Sequence, residues 1–376
     1  MHKKLPLLEA ISILVGTIIG AGILGIPYVV AQAGFITGLV ILAVISFTVI
    51  MINLYLGEIV LSTKARHQLT GYAEKYLGKF GKYLMFGSVV FGFYGALLAY
   101  IIGEGQVLAA LTGGNEMVYS LLFFMGASAL VYIGLTIVQK FEFFMTLIIL
   151  VIVLIIILLS VNSIDLSNLN EFSLAKVFIP YGVIFFAIGG TSAVPQLRLV
   201  LKGREKDIKK AILIGVSIPF IVYFFFTLIV VGVTGLGTTE IATIGLGQVV
   251  SKSMIIFGNL FAFFTMGTSF LTLGLAIKNT YLYDLKLKHG LAWSLSMLIP
   301  FVVFLFGLNS FVKIIGTVGA IGGGIEGLLI LAIYWKIKKL KKTERNPEYS
   351  LRFNPLLITF LGIIFIGGIV YTLVNL

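Results

Sequence analysis

Eleven long apolar runs, separated by short polar segments, determine what this chain of 376 residues can fold into. Each run is long enough, or nearly so, to cross a hydrocarbon layer about 30 Å thick as a helix. The runs are unbroken rather than alternating, which favours helices over a membrane β-barrel. Composition agrees, since 59% of the residues are hydrophobic and 11% are charged, against about 45–50% and 25% in soluble domains. We predict an all-α integral membrane protein, one transmembrane domain over residues 1–376, with spans at 8–33, 36–62, 83–111, 118–138, 143–161, 174–201, 209–233, 248–277, 290–306, 310–337 and 355–375.

Basic residues lie almost entirely in the segments that join alternate spans. With the N-terminus in the cytoplasm, all 27 Lys and Arg residues except Lys176, Lys252 and Lys313 fall on the cytoplasmic side. An excess of Lys and Arg in cytoplasmic loops is the usual signature of membrane topology. We therefore predict a multi-pass protein of the cell membrane with a cytoplasmic N-terminus and an extracellular C-terminus. The net charge of +12 then reflects topology and does not indicate nucleic-acid binding.

Two cytoplasmic segments have a distinct character. Residues 63–82 are predicted to form a short amphipathic helix on the membrane surface, with tyrosines opposite lysines. Residues 336–352 are rich in lysine and arginine, and they are predicted to form a solvated loop attracted to anionic lipid. The chain contains no cysteine, so disulfides and thiolate metal sites are excluded.

Residues 16–27 (GTIIGAGILGIP) interrupt the first span with small residues and a proline. Glycine costs about 1 kcal/mol and proline about 3 kcal/mol relative to alanine inside a helix, so we predict that the span breaks here. Backbone groups freed at this depth are tolerated where they line a cavity or bind a ligand. Close helix packing at the glycines is the alternative. The same glycines spell G-x-G-x-x-G, but a dinucleotide site is disfavoured because no strand precedes them and no acid follows about 20 residues later.

A second break is predicted in the sixth span, where Gly189 and Gly190 precede Pro195. An offset of five spans, an odd number, places the two breaks in units of opposite orientation. Interrupted spans at corresponding positions of two halves indicate a transporter site built from inverted repeats. We predict one repeat over residues 8–161 (spans 1–5), a second over 174–337 (spans 6–10), and an additional span at 355–375.

The two broken helices would present complementary backbone groups to a ligand. Half-helix N-termini present N–H groups and a partial positive charge that suit a carboxylate, while freed carbonyls suit an ammonium group or Na⁺. An α-amino acid carries both charges, and its side chain is predicted to be neutral because no charged residue is near either break in sequence. The predicted substrate-binding residues are Thr17, Gly20, Ala21, Gly22, Ile23, Tyr100, Phe186, Ala187, Gly189 and Gly190, with Phe270 as a further wall of the side-chain pocket.

These motifs resemble a known family. Residues 16–27 resemble the first helix of permeases in the amino acid/auxin permease group, which includes bacterial aromatic amino acid permeases, and residues 268–275 (TSFLTLGL) resemble their span-8 signature. The sixth-span break, Phe186 to Pro195, is similar as well, and the resemblance covers all eleven spans. It implies the LeuT-type fold of the amino acid–polyamine–organocation superfamily, with helices 1 and 6 broken, alternating access and a small amino acid-like substrate.

The resemblance also implies a sodium site between the first half of span 1 and span 8. Its ligands would be the carbonyls of Gly16, Ile19 and Thr265 and the hydroxyls of Thr268 and Ser269. In the alternative, those hydroxyls bond back to carbonyls of their own helix.

Proton coupling would instead need a titratable group inside the membrane. Glu104 and Glu326 lie within spans, where a charge costs about 2.5–3.5 kcal/mol on insertion scales, so both are candidates. Glu9 and Glu58 lie nearer the span ends, and their roles are left open.

Taken together, the sequence predicts a prokaryotic secondary transporter of neutral amino acids, aromatic or branched ones included, working by symport with Na⁺ or H⁺. An enzyme is disfavoured because the sparse polar residues form no catalytic cluster. The predicted partners are an amino acid and the lipid bilayer, with no cofactor other than the coupling ion. The oligomeric state is left open, and a monomer would suffice. An amino acid sensor without turnover and a channel-like permease are the alternatives.

Overall fold

The computed structural model describes residues 5–134, 137–284, 286–340 and 343–375, and these contain helices and no strand. Residues 1–4 and the lysines at 341 and 342 of the predicted basic loop lie outside the described residues. The helices are α1 (Leu5–Ile18), α2 (Gly22–Ala33), α3 (Phe35–Ser62), α4 (Leu69–Thr112), α5 (Glu116–Ile133), α6 (Ile137–Ser160), α7 (Tyr181–Ile188), α8 (Val194–Val200), α9 (Ile208–Thr234), α10 (Ala242–Val250), α11 (Lys252–Asn279), α12 (His289–Leu305), α13 (Phe311–Thr317), α14 (Gly324–Leu340) and α15 (Pro355–Val374).

The described helices form a bundle that can cross a membrane several times. Eight spans are long and apolar enough to cross a membrane when α7 and α8 are taken as one and α13 and α14 as another, and α1 with α2 forms a ninth span bent in the middle. Two shorter apolar helices, at Ile149–Ser163 and His289–Leu305, correspond to the predicted spans 5 and 9. The all-helical membrane fold is confirmed, and the count of eleven spans stays a prediction.

The first span breaks where glycine is concentrated. Helix α1 ends at Ile18, α2 begins at Gly22, and their axes differ by 56°. Pro27 does not take part in this break, because it lies inside α2, where a proline removes one hydrogen bond of the helix. The predicted break is confirmed, and it is set by Gly20 and Gly22 rather than by the proline.

The sixth span also breaks at glycines, and its proline lies just after the break, at the start of the second half-helix. Helix α7 ends at Ile188, and Gly189 is extended with φ −62° and ψ 127°. Gly190 and one 3₁₀ turn lead into α8, whose first turn contains Pro195. Proline is well accepted in a first turn because the N–H that it lacks has no helical acceptor there.

The tenth span has an irregularity that the sequence analysis did not identify. Between α13 and α14 the chain forms a π-helical segment, Val318–Gly323, that contains three glycines. A carbon atom placed on Gly319 would lie 2.0 Å from the backbone oxygen of Gly182 in α7. Because neither Gly319 nor Gly182 has a side chain, this segment and α7 can touch through their backbones. Single π-helical turns of this kind occur often at functional sites.

Two predicted cytoplasmic segments are corrected by the structure. The amphipathic helix predicted over residues 63–82 begins only at Leu69, and it ends at a kink at Gly78, whose φ of 80° favours glycine. The basic loop predicted over residues 336–352 is helical up to Leu340 as part of α14. Helix α10, between the seventh and eighth spans, was not predicted.

Residues 343–354, called the strap below, pack against α3 on one face, while about every second residue is exposed. The backbone N–H of Glu344 donates to the Ser62 carbonyl at 3.0 Å. The backbone N–H of Leu351 donates to the Glu58 carboxylate at 2.8 Å, and Leu351 is half-buried. The solvated-loop prediction is therefore corrected for one face of the described segment, whose apolar side chains and N–H groups find partners on α3, whereas the other face is exposed.

The bundle has two ends that differ in charge. The basic end contains the end of α3, the start of α4, the end of α14 and the strap; the opposite end contains the end of α9 and the start of α13. At the opposite end, Glu240 accepts hydrogen bonds from the Ser310 hydroxyl at 2.7 Å and from the Val312 N–H at 3.1 Å. Phe311 is fully buried between them. The helices are thus tied together at the opposite end.

Candidate functional site

The two breaks lie against each other in the centre of the bundle. A Cβ atom on Gly22 would lie 2.5 Å from the Cα of Ala187, and one on Gly190 would lie 2.7 Å from Cγ1 of Ile18. Real Cβ atoms do not approach a backbone atom to 2.5 Å, so Gly22 is the residue that lets the two broken helices touch. Five spans of sequence separate them, and the fold brings them into one site.

Tyr223, in the middle of α9, bonds to both breaks. Its hydroxyl lies 2.8 Å from the carbonyl of Ile18 and 3.1 Å from the carbonyl of Ala187, and the side chain is fully buried. These carbonyls lie at the ends of α1 and α7, where the N–H four residues on in a continuing helix is missing. The Ile18 carbonyl also accepts from the backbone N–H of Gly20 at 2.9 Å. The sequence analysis missed this residue, because one tyrosine among 16, within an apolar run, carries no distinguishing pattern.

Other backbone groups at the breaks have no hydrogen-bond partner in the described part of the chain. They are the N–H groups of Ala21, Gly189 and Gly190 and the carbonyls of Gly16 and Ile19. Buried backbone groups are nearly always paired, so free donors and free acceptors side by side indicate a place for a ligand. A carboxylate suits the N–H groups and an ammonium group or a cation suits the carbonyls.

These groups open onto a cavity of about 1430 Å³ that continues to the basic end of the bundle. Glu9, Gln68 and Thr280 line it near that end. The cavity therefore connects the breaks with one end of the bundle. Most of the predicted site residues line it: Gly16, Thr17, Ile19, Gly20, Ala21, Gly22, Tyr100, Phe186, Ala187, Gly189, Gly190, Thr268, Ser269 and Glu326.

Four of the predicted site residues do not line the cavity. Ile23 is fully buried, because the first turn of α2 directs it into the core. Thr265 and Phe270 are buried on other faces of α11, and Phe270 packs edge-on against Phe123. Glu104 lies one helical turn beyond Tyr100, past the closed end of the cavity. We therefore do not expect the Ile23 and Phe270 side chains to contact a substrate in this conformation.

Glu104 has an unusual environment. Both of its carboxyl oxygens are buried and have no hydrogen-bond partner in the described residues. A Cβ on Gly267 of α11 would lie 3.4 Å from one of them. An ionised carboxylate without a partner is costly in such a place, so this group is suited to hold a proton.

The proposed sodium ligands are distributed around the contact between α1 and α11. A Cβ on Gly20 would lie 3.2 Å from the Ser269 hydroxyl oxygen, which places the end of α1 directly against that residue. The Thr268 hydroxyl donates to the Phe264 carbonyl at 2.7 Å and to the Thr265 carbonyl at 3.3 Å. This is the intrahelical alternative, but a hydroxyl that donates its proton keeps lone pairs for a cation.

Glu326 lies beside the sixth-span break. Its carboxylate accepts a hydrogen bond from the hydroxyl of Thr191, the residue that follows Gly190. The sequence analysis found no charge near either break, because it considered neighbours along the chain; the fold brings this carboxyl there from α14.

Glu58 and Glu9 have separate roles in the fold. Glu58 is buried away from the cavity and forms an ion pair with Lys338 of α14. Glu9 lines the basic end of the cavity and is exposed.

Comparison with known proteins agrees with this geometry. The solved structures that match include Mhp1 in an inward-facing conformation, with a TM-score of 0.58, 14% identity and coverage of 97% of this chain and 89% of that one. They also include Mhp1, a nucleobase-cation-symport-1 family transporter, in a closed conformation with bromovinylhydantoin bound, with a TM-score of 0.59, 12% identity and coverage of 98% and 90%. At these identities the likeness shows the fold, which is of the LeuT type.

Curated relatives match along most of the sequence. A tyrosine-specific transport system of Haemophilus influenzae is 24% identical over 93% of this chain and 92% of its own length. A glutamine transporter of Aliivibrio fischeri is 25% identical over 88% and 89%. A low affinity tryptophan permease of Proteus vulgaris is 23% identical over 59% and 57%. The profile of the tryptophan/tyrosine permease family matches residues 3–375, and the chain belongs to that family.

Proposed function

We propose that this permease binds a neutral α-amino acid where its two broken helices cross and carries it across the membrane. The observation that carries the proposal is the backbone contact between Gly22 and Ala187 on the wall of the cavity, with unpaired N–H and carbonyl groups on either side. The substrate carboxylate would bind the N–H groups of Ala21 and Gly22, and its ammonium group the carbonyls of Gly16 and Gly189.

The substrate class follows from the walls and from the relatives. Tyr100 and Phe186 line the cavity next to the breaks, and aromatic side chains suit flat apolar or amide groups. The relatives named above are described as carrying tyrosine, glutamine and tryptophan. We propose neutral amino acids of this kind, with aromatic side chains included, as the substrates.

For the coupling ion, Na⁺ bound between α1 and α11 is the first candidate. The carbonyls of Gly16 and Ile19 accept no backbone hydrogen bond in the described residues, and the Gly16 oxygen has two lone pairs, one for the substrate ammonium group and one for the ion. Thr268 and Ser269 line the same cavity, and with the Thr265 carbonyl these groups form an all-oxygen set. A proton is the second candidate, supported by the unpartnered carboxyl of Glu104 and by the position of Glu326 on the cavity.

The basic end of the bundle is proposed to face the cytoplasm, because Lys and Arg concentrate there. The cavity extends toward that end, and at the opposite end the contacts of Glu240 join the segment after α9 to the start of α13. The conformation described is then inward-open, and an outward-open state would complete the cycle.

Uptake into proteoliposomes tests the proposal. We expect labelled tyrosine, tryptophan or glutamine to accumulate when a Na⁺ gradient is imposed, and Ser269→Ala to weaken that dependence. Ser296→Ala is the matched control, because Ser296 is buried on α12 and bonds to its own helix at Ala292. Accumulation under a proton gradient alone would identify H⁺, in place of Na⁺, as the coupling ion. Binding without flux under either gradient would contradict transport and favour a sensor.

A further inference from the structure

Glu326 has one carboxyl oxygen engaged and one available. It lies in the first turn of α14, directly after the π-helical segment, and it lines the cavity as a partly exposed residue. One oxygen accepts the Thr191 hydrogen bond. Within the described residues the carboxylate has no ion pair, and the other oxygen has no hydrogen bond.

The backbone packing fixes this position. Gly319 touches Gly182, and a Cβ on Gly323 would lie 2.4 Å from the ring of Phe185, so the π-helical segment lies directly on α7. Because α7 ends only a few residues later at the break, the start of α14 is held next to Thr191. A bulkier segment would hold the carboxyl away from the break.

We propose that Glu326 is a specificity-determining residue whose available oxygen accepts a hydrogen bond from the side chain of the substrate. The permease would then select neutral amino acids that carry a side-chain O–H or N–H donor, such as a phenol, an indole or a primary amide. This inference rests on the proposed function, because it assumes that the main-chain groups of the amino acid bind at the breaks.

The surroundings favour a neutral donor over a cationic side chain. A lysine ammonium group has three N–H donors and an arginine side chain has five, whereas one oxygen of Glu326 is free. Phe93, Tyr100 and Phe186 line the cavity too, and they offer apolar surface to a ring or an amide. A substrate side chain with one O–H or N–H donor satisfies the available oxygen of Glu326, and its apolar part then packs against these aromatic residues.

Matched pairs of ligands test the inference by equilibrium binding to the purified full-length protein. The pairs are tyrosine with phenylalanine, tryptophan with 1-methyltryptophan, and glutamine with methionine; in each pair the second ligand lacks the donor. We expect wild type to bind the donor-bearing member of at least one pair about tenfold more tightly, as for one hydrogen bond whose loss leaves a polar group without a partner. Glu326→Met should bring that ratio close to one, mainly by weakening the donor-bearing ligand.

Two further variants separate recognition from general damage. Glu326→Gln keeps an acceptor oxygen and the size of the side chain, so it should retain part of the preference. Glu9→Gln removes another carboxyl from the cavity wall, at the basic end, and should leave the ratio unchanged. The wild-type ratios test the inference even if Glu326→Met does not fold.

Four results would overturn the inference. They are equal binding within every pair by wild type, an unchanged ratio in Glu326→Met, an equal loss of the ratio in Glu9→Gln, or lysine or arginine as the tightest ligand. Failure of every amino acid to bind wild type would instead contradict the proposed function, so the two failures are distinguishable.

Discussion

Tyr223 joins both breaks through a single hydroxyl group, and its removal has a clear expected effect. Tyr223→Phe leaves the carbonyls of Ile18 and Ala187 without this partner in a buried place. We expect a loss of about 1–2 kcal/mol of stability and weaker amino acid binding, because the ends of α1 and α7 are no longer held in register. Thermal unfolding and substrate titration measure the two effects.

Tyr94→Phe is the matched control for that variant. The Tyr94 hydroxyl also bonds to a backbone carbonyl, that of Leu295 at 3.0 Å, but the residue does not line the cavity. The Tyr94→Phe protein should be less stable than wild type but should retain its affinity for the substrate. Equal loss of affinity in both variants would show that Tyr223 acts through stability alone.

Gly22 is the residue at which a single methyl group should separate the two breaks. In Gly22→Ala the new Cβ would meet the Ala187 backbone at 2.5 Å, so α1–α2 and α7–α8 must move apart, at a cost of about 1–3 kcal/mol. We expect amino acid binding to fall by about tenfold or more while the protein still inserts into the membrane. Isothermal titration measures the affinity.

A control for this variant is available on the same cavity. Gly92 lines the cavity, and a Cβ there would meet no atom within 4 Å. Gly92→Ala should therefore retain binding apart from its direct effect on cavity volume. Unchanged binding in Gly22→Ala would mean that the first break serves helix packing only.

At the level of elements, the strap is held to the basic end by contacts that depend on pH. The hydrogen bond from the Lys75 ammonium group at 2.6 Å, together with the backbone N–H of Lys64 at 2.8 Å, lowers the pKa of the Glu344 carboxyl below its ordinary value of about 4.5. A group with a lowered pKa stabilises the fold above its unfolded-state pKa and loses that contribution as the pH falls through the folded-state pKa. We expect the strap to be bound at neutral pH and to loosen in acid.

Hydrogen exchange of residues 343–351 measures this loosening. Glu344→Gln should lower the protection factors of the strap amides at neutral pH to those that wild type shows in acid, once the intrinsic exchange rate at each pH is divided out. Glu348→Gln is the control, because Glu348 pairs with Arg345 inside the strap itself. Equal protection factors of the strap amides at both pH values would contradict a role for the Glu344 contacts.

Elements that depend on local composition could be predicted, and those that depend on packing could not. The two breaks were predicted because glycine weakens a helix wherever it stands. Pro27 was misassigned because a proline near the start of a helix can be absorbed without ending it. The π-helical segment packs on a distant helix through the contact of Gly319 with Gly182, and the pattern of its own residues does not specify that contact.

For the whole molecule, the LeuT-type fold and the amino acid permease family were predicted from motifs and are confirmed by the structural and family comparisons. Membership of a permease family also supports the prediction that the chain is not an enzyme. The parts of the site that lie next to each other in sequence, at the two breaks, were predicted. Tyr223 and the pairing of Thr191 with Glu326 join residues more than thirty positions apart, so they needed the fold. The repeat boundaries, the orientation and the coupling ion stay predictions.

Alternating access predicts that the cavity is reached from one side of the membrane at a time. The chain has no cysteine, so a single introduced thiol reports on one position. Ser12 lines the cavity in α1, and Asn309 is exposed at the opposite end. We expect Ser12→Cys to react with a membrane-impermeant maleimide added at the cytoplasmic face, more slowly once an amino acid is bound, because the ligand fills the cavity or closes it. Asn309→Cys should react only from the outside and be insensitive to ligand.

Two labelling results would contradict this picture. Labelling of Ser12→Cys from outside, with the cytoplasmic face unreactive, would reverse the proposed orientation. Equal labelling from both faces at once would indicate a continuous pore in place of alternating access.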